Sequence, residues 1–248
     1  MELVTDNPYE TEDGRRYYVD ADTDMHIGRN KELRSEFMEF VLQDGYPCVG
    51  AQAAVNGDTF SIGDFESMDN PNTPKNLAYG LTEYLRAMKD APSNFLTYVA
   101  IFPESGFSNE KAFEEALWEL LGQLNTEDAK HSNWCQRYSS DPNKKDFSFC
   151  FGGEGFFIVG LHPGSSRKAR RFKYPAIAFN LQLQFDNLRE NGRFDLMRNA
   201  IRERELAFQG SINPMLADFD EGLQAPQYSG RKLGPEWKCP FIAQKEKK

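Results

Sequence analysis

The segment Phe95-Leu96-Thr97-Tyr98-Val99-Ala100-Ile101-Phe102 decides the fold class. It is rich in β-branched and aromatic residues and is apolar on both of its faces. That pattern is typical of a strand inside a sheet that is covered on both sides. Pro103 ends the strand because proline has no N–H to donate to a neighbouring strand.

The rest of the chain predicts further strands and helices around this one. Residues 147–151 and 156–161 flank Gly152-Gly153-Glu154-Gly155 and predict a hairpin, and residues 176–180 predict another short strand. Asn56-Gly57 suits a type I′ turn, so residues 53–62 are interpreted as two short strands. Helical periodicity marks segments 29–42, 76–91, 109–124 with Ser108 as its cap, 126–137, 182–190 and 194–207.

Strands and helices alternate irregularly along the chain, which argues against a doubly wound fold. The prediction is an α+β fold in a single domain, with a mixed, mostly antiparallel sheet and flanking helices. Residues 1–25 are acidic and poor in aliphatic side chains, and they predict a flexible N-terminal arm. Residues 26–248 form the predicted domain.

The composition excludes several classes of protein. The net charge of −9 over 248 residues argues against broad nucleic-acid binding. No run of apolar residues is long enough for a membrane span, and the acidic N-terminus does not resemble a secretory signal. The four cysteines include no CxxC pair. We therefore expect a cytoplasmic protein without a membrane or nucleic-acid partner. The sequence also lacks GxGxxG, P-loop, GxSxG and HExxH motifs.

Cys48 is the first candidate site residue. It follows the rigid Pro47 and precedes small residues, so its backbone is held in place while a bulky group can approach. We interpret Cys48 as the start of a strand. A thiolate held in this way can act as a nucleophile or bind a metal. The alternative is that Cys48 is simply a small buried hydrophobic residue.

The second candidate is the basic stretch 162–175, which begins with His162 and has no acidic residue. Its cations are Arg167, Lys168, Arg170, Arg171 and Lys173. These residues either pair with acidic residues elsewhere in the fold or form an anion site, because arginine binds carboxylates and phosphates bidentately. Asn180, at the end of a predicted strand, is a third and weaker candidate. Its amide could orient a substrate or a histidine.

Four segments of the sequence, in this order, resemble the YqcI/YcgG family, and the resemblance spans roughly residues 30–241. They are Tyr-Pro-Cys-Val-Gly-Ala (46–51), His-Pro-Gly-Ser-Ser-Arg-Lys-Ala-Arg-Arg-Phe (162–172), Phe-Asn-Leu-Gln-Leu-Gln-Phe (179–185) and Tyr-Ser-Gly-Arg with Trp-Lys-Cys-Pro-Phe (228–241). The first two segments are the specific ones. One departure is Gln182, near which the family commonly carries a histidine.

The resemblance implies a heme-dependent oxygenase that uses O₂ to N-hydroxylate a guanidino or amino group of a small, arginine-like molecule. With heme b as the cofactor, Cys48 is the expected proximal ligand, because a thiolate favours O–O cleavage. His162 is the rival ligand; otherwise it would lie by a propionate or in the distal pocket. Arg167, Arg170 and Arg171, together with Ser166, would hold the heme propionates.

The resemblance also implies partners for the chain. Electrons would come from an external reductase or ferredoxin, because the sequence carries no flavin or nicotinamide motif. A cationic substrate would need a carboxylate, for which Asp64, Glu66 and Glu154 are the candidates. A homodimer remains open as the oligomeric state.

Two other functions stay open from the sequence alone. One is a cysteine hydrolase or transferase, with Cys48 as nucleophile, His162 as base and Asn180 as orienting residue. The other is a heme-binding protein without catalytic activity.

Overall fold

Five strands form one mixed sheet in the computed structural model, which describes residues 7–9, 27–90, 95–215 and 222–244. The strand order is β1-β2-β5-β4-β3, with only β1 and β2 parallel. The strands are β1 (Phe60–Asp64), β2 (Thr97–Ile101), β3 (Phe149–Phe151), β4 (Glu154–Leu161) and β5 (Ala176–Leu181). The predicted α+β class and the predicted mostly antiparallel sheet are confirmed.

Helices cover both faces of this sheet. They are α1 (Ile27–Leu42), α2 (Val49–Asn56), α3 (Thr73–Ala87), α4 (Glu110–Asp128), α5 (Gln182–Glu190) and α6 (Phe194–Gln209). Short 3-10 helices lie at Met88–Asp90, Lys168–Arg170 and Ala225–Gln227. Within the described ranges, no helix is both long and apolar enough to cross a bilayer.

The alternation of side chains along β2 separates two cores, as the apolar pattern predicted. Tyr98 and Ala100 face the core under α3 and α4, whereas Val99 and Ile101 face the core under α1 and α2. All four of these side chains are fully buried. Since the sheet is buried on both faces, the elements that cover each face determine where a ligand can enter.

The prediction of two strands in residues 53–62 is wrong for its first half. Val49–Asn56 is helix α2, and Gly57 is its C-terminal cap. The alanine-rich composition of this segment favours a helix, and Asn-Gly also ends helices. Asp58 then adopts a left-handed backbone, with φ of 53°, and leads the chain into β1.

Two further helix predictions are corrected at their ends. The cap of α4 is Asn109 and not Ser108, because the Asn109 side chain accepts a hydrogen bond from the backbone N–H of Ala112. The separate helix predicted for 126–137 does not form. Helix α4 continues to Asp128, and the chain beyond residue 132 is irregular.

Part of the predicted N-terminal arm contacts the domain. Tyr9 is 3% exposed and belongs to the core under α3 and α4. Asn7 donates a hydrogen bond to the backbone carbonyl of Tyr79. Residues 1–6 and 10–26 lie outside the described residues.

Candidate functional site

A cavity of about 280 Å³ lies against the face of β4 and β5 that carries Phe157, Val159 and Leu161. Helices α5 and α6, together with Asn213, Gln224 and Gln227, close it on the other sides. Its apolar wall includes Phe37, Val55, Phe157, Val159, Leu161, Ala178, Phe185, Phe194, Met197 and Ile201. A mostly apolar pocket with a few polar groups is the usual form of a small-molecule site.

Cys48 lines this cavity from the N-terminus of α2. The residue caps that helix, because its Sγ accepts a hydrogen bond from the backbone N–H of Ala51 at 3.4 Å. Cys48 therefore begins a helix and not the predicted strand. Burial raises the pKa of the thiol above its usual value, although the backbone N–H groups of Gly50 and Ala51 act in the opposite direction.

A buried ion pair forms part of the cavity wall. Nη2 of Arg167 lies 2.5 Å from Oε1 of Glu205, and both residues line the cavity. Arg167 also donates hydrogen bonds to Ser211, while Oε2 of Glu205 accepts one from the backbone N–H of Asn213. Arg167 thus already has a carboxylate partner within the protein, which differs from the predicted propionate role.

Glu205 was not among the residues selected from the sequence. It lies within the run Arg202-Glu203-Arg204-Glu205 on α6, where alternating charges give no sign that one carboxylate is buried. Glu205 is 5% exposed. Helical periodicity alone could have marked it, because it shares the inward face of α6 with Ile201, four residues earlier.

Arg170 lines the cavity with its charge directed at backbone carbonyls. Its guanidinium donates hydrogen bonds to the carbonyl oxygens of Gly160, Gln227 and Tyr228. Burial lowers the pKa of this guanidinium, and the Tyr46 and Glu205 side chains raise it. These bonds join the segment around Tyr228 to β4, so Arg170 supports the cavity wall.

The other predicted residues from the basic stretch lie outside the cavity lining. The His162 ring stacks on Phe113 of α4, with 4.5 Å between centroids, in the core on the opposite side of the sheet. Burial lowers the pKa of His162, which favours the neutral ring. Ser166 binds the Glu110 carboxylate through its N–H and hydroxyl, and Nε of Arg171 donates to the Ser165 carbonyl.

Asn180, near the end of β5, also lines the cavity. Its Nδ2 donates to the Phe157 carbonyl, and its Oδ1 accepts a hydrogen bond from the Thr97 hydroxyl at 2.8 Å. The side chain therefore bridges β2, β5 and β4. The structure brings Cys48, Arg167, Arg170 and Asn180 to one cavity and leaves His162, Ser166 and Arg171 outside its lining.

The three carboxylates that were predicted to bind a cationic substrate are not part of the cavity lining. Asp64 forms an ion pair with Arg29, and Glu154 forms one with Arg137. Glu66 follows β1 in a left-handed conformation, with φ of 58°. Glu205 is the carboxylate that lines the cavity instead.

The donor set at the cavity agrees chemically with a heme. A porphyrin needs an apolar slot, one axial donor and cations for its propionates. The cavity offers apolar walls, the Cys48 thiol and three arginines on α5 and α6, which are Arg189, Arg198 and Arg202. In the part of the chain that the structure describes, His, Cys, Asp and Glu side chains form no group of three that could hold a bare metal ion.

Comparison with known proteins identifies relatives of similar length. The chain is 29% identical to Bacillus subtilis (strain 168) YcgG over 211 residues, which are 82% of this chain and 78% of YcgG. Identity to YqcI of the same organism is 28%, with the same coverage. Both relatives bear the description "uncharacterized protein". No solved structure matches the chain. The profile of the YqcI/YcgG family matches residues 37–242, and the chain belongs to that family.

Proposed function

We propose that the protein is a heme-dependent oxygenase that N-hydroxylates a guanidino or amino group of a small molecule. The observation that carries this proposal is the Cys48 thiol, which lines an apolar cavity while a backbone N–H group of α2 holds its sulfur. The resemblance in the motif segments supplies the reaction class.

In this proposal, the Cys48 thiolate would bind the heme iron. The hydrogen bond from the Ala51 N–H restricts the position of the sulfur and would moderate its electron donation. Burial opposes a free thiolate at this position, and coordination to iron would compensate for that cost. Bound heme would supply the activation of O₂, the co-substrate.

The heme propionates would bind arginines other than the predicted ones. Arg167 is paired with Glu205, and Arg170 is bonded to three carbonyls. Arg189, Arg198 and Arg202 line the same cavity from α5 and α6. Arg189 and Arg198 form partly exposed ion pairs with Asp186 and Asp195 on their own helices. Because partly exposed ion pairs of this kind contribute little stability, a propionate could replace them, and we assign the propionates to this second set of arginines.

The walls of the cavity would serve the reaction by excluding water. Aromatic and aliphatic side chains from β4, α5 and α6 form most of its surface, and exclusion of water protects reactive intermediates. Electrons would arrive from a separate reductase or ferredoxin.

The structure offers less support for a cysteine hydrolase. The His162 ring stacks on Phe113 beneath α4, whereas Cys48 contacts the core on the opposite face of the sheet. A base must lie within hydrogen-bond reach of its nucleophile. The alternative of a non-catalytic heme-binding protein is equally compatible with this cavity. Product analysis must therefore distinguish that alternative from an oxygenase.

The test is the visible spectrum of the protein purified with heme supplementation. We expect a Soret band whose position in the reduced CO complex indicates thiolate ligation. Cys48→Ala should remove or shift this band, and His162→Gln, as the matched control, should leave it unchanged. Product analysis with arginine, simple guanidines and amines, under O₂ and a reductant, then tests turnover.

Two results would contradict the proposal. One is a purified protein that shows no Soret band after heme supplementation. The other is a band that is identical in the wild type and in Cys48→Ala. A heme-loaded protein that forms no product from any of the compounds would indicate the non-catalytic alternative.

A further inference from the structure

Two glutamines in the cavity wall have amide atoms without partners. Gln182 is 1% exposed and Gln224 is 2% exposed, and both line the cavity. Oε1 of Gln182 and both Oε1 and Nε2 of Gln224 are buried and make no hydrogen bond. Buried polar groups in native proteins are nearly always hydrogen-bonded, so each of these atoms calls for a partner.

Other polar side chains of the same wall already have partners within the protein. Asn180 uses both ends of its amide, and the carboxylate of Glu205 binds Arg167 and the Asn213 N–H. Nε2 of Gln227 donates to the Leu223 carbonyl. Nε of Arg167 and of Arg198 also lacks a hydrogen bond, but both guanidinium groups pair with carboxylates. Among the uncharged polar side chains described in this wall, Gln182 and Gln224 are therefore the groups that a ligand would satisfy.

The hydrogen-bonding capacity of these atoms predicts which polar groups the ligand must carry. An amide oxygen accepts a hydrogen bond, and an amide nitrogen donates one. Because both ends of Gln224 lack a partner, the conclusion holds for either orientation of its amide. Gln224 therefore needs a polar group that donates and accepts side by side. Gln182 needs a donor.

Three of the charged side chains in the lining are satisfied within the protein. Glu205 and Arg167 neutralise each other, and the Arg170 charge is directed at backbone carbonyls. The stretch of β4 from Phe157 to Leu161, which forms one wall of the cavity, is about 13 Å long, because each strand residue rises about 3.3 Å. An elongated molecule with an apolar stem fits along this wall.

We infer that Gln182 and Gln224 bind the polar end of a small organic ligand with an apolar stem, an end that both donates and accepts hydrogen bonds. Primary amides and α-amino carboxylates share this chemistry. The inference deepens the proposed function, since it takes the same cavity as the substrate site. It assigns two residues to substrate selection, apart from Cys48.

Four compounds with the same number of carbon atoms test the inference. Norleucine and hexanamide carry donors and acceptors together, hexylamine carries only donors, and hexanoate carries only acceptors. Calorimetric titration of the purified protein should show norleucine or hexanamide binding at least about tenfold more tightly than the other two. Whichever of the two binds more tightly identifies the ligand class.

Variants then connect this selectivity to the glutamines. Gln224→Leu should reduce the preference for norleucine or hexanamide over hexylamine and hexanoate by about tenfold, because it removes both amide atoms. Gln224→Glu keeps only acceptors, and it should tighten hexylamine binding while weakening hexanoate binding. A loss of folding cannot produce such a reversal. Gln123→Leu, on the exposed side of α4, is the matched control.

The outcomes separate this inference from the proposed heme chemistry. If none of the compounds binds at millimolar concentration, or if Gln224→Leu and Gln224→Glu bind like Gln123→Leu, the inference is wrong even where a Soret band is present. Selective binding that depends on Gln224, in a protein that takes up no heme, would support the inference and overturn the oxygenase.

Discussion

Arg167 and Glu205 form a buried ion pair that joins the loop after β4 to helix α6, with 2.5 Å between Nη2 and Oε1. Both residues are less than a tenth exposed. The pair closes one side of the cavity. It also explains why Arg167 contributes to the cavity wall while its charge is satisfied within the protein.

Glu205→Gln should lower the free energy of unfolding by about 3–5 kcal/mol, because it leaves the Arg167 cation buried without a counter-charge. Urea denaturation measures the loss. The double variant Arg167→Met with Glu205→Leu should lose less than Glu205→Gln alone, since it buries no charge. The exposed pair Lys111–Glu115 supplies the control. If Glu205→Gln costs no more than Glu115→Gln, the pair does not stabilise the fold.

Cys48 should react slowly with iodoacetamide at neutral pH. Burial raises the pKa of its thiol, so the reactive thiolate is a small fraction that grows as the pH rises. Mass spectrometry of the peptide containing Cys48 gives the rate at each pH. A rate above that of a free thiol compound in mildly acidic solution would contradict this expectation and favour the hydrolase alternative.

Asp128 should make stability fall as the pH rises. Burial raises the pKa of its carboxyl from 3.8 to about 6 in the folded protein. Between these values the folded state binds more protons than the unfolded state. The contribution of the protonated Asp128 carboxyl to the free energy of unfolding is therefore complete below pH 3.8 and is lost as the pH passes about 6.

Asp128→Asn should therefore flatten the pH dependence of unfolding in this window and raise stability at pH 7 by up to roughly 3 kcal/mol. The asparagine oxygen can still accept the hydrogen bond from the Gly152 N–H. Urea denaturation across the window measures the difference from wild type. Asp195→Asn, at an exposed carboxylate, controls for a change in net charge. An unchanged slope in Asp128→Asn would show that Asp128 is not the group responsible.

Gly160→Ala should destabilise the protein by about 1–3 kcal/mol, because helix α4 packs closely against β4 at this point. A Cβ at residue 160 would lie 2.8 Å from side-chain atoms of both Leu117 and Phe113. A Cβ at Gly122, on the same helix, would meet no neighbouring atom within 4 Å. Gly122→Ala should instead stabilise by about 0.5–1 kcal/mol. Thermal unfolding distinguishes the two signs, and equal effects would contradict the packing argument.

Local patterns were sufficient for much of the fold. The apolar run that became β2, the glycine turn between β3 and β4, and the stripe of leucines on α4 each specify an element through contacts with near neighbours in sequence. The segment 49–56 failed because its signals conflict. Asn-Gly suits a hairpin turn and a helix end equally, and the alanines before it favour the helix.

Part of the candidate site also followed from the sequence. Cys48 and Asn180 were selected for their residue type and their position near the end of an element, and both line the cavity. His162 was selected in the same way. The structure places it in the other core, because the chain turns after β4 so that this ring packs on Phe113.

The sequence by itself determined that this chain forms an α+β fold with a mixed sheet buried on both faces, since periodicity and turn residues act over a few neighbouring positions. Only the tertiary structure decided which polar residues share a cavity. Cys48, Gln182, Glu205 and Gln224 are far apart along the chain, and they share one lining because β4, β5 and α6 pack around a common space. Burial then determines the state of each: it raises the pKa of the Cys48 thiol, encloses the ion pair of Glu205 with Arg167 and leaves amide atoms of Gln182 and Gln224 without a hydrogen-bond partner.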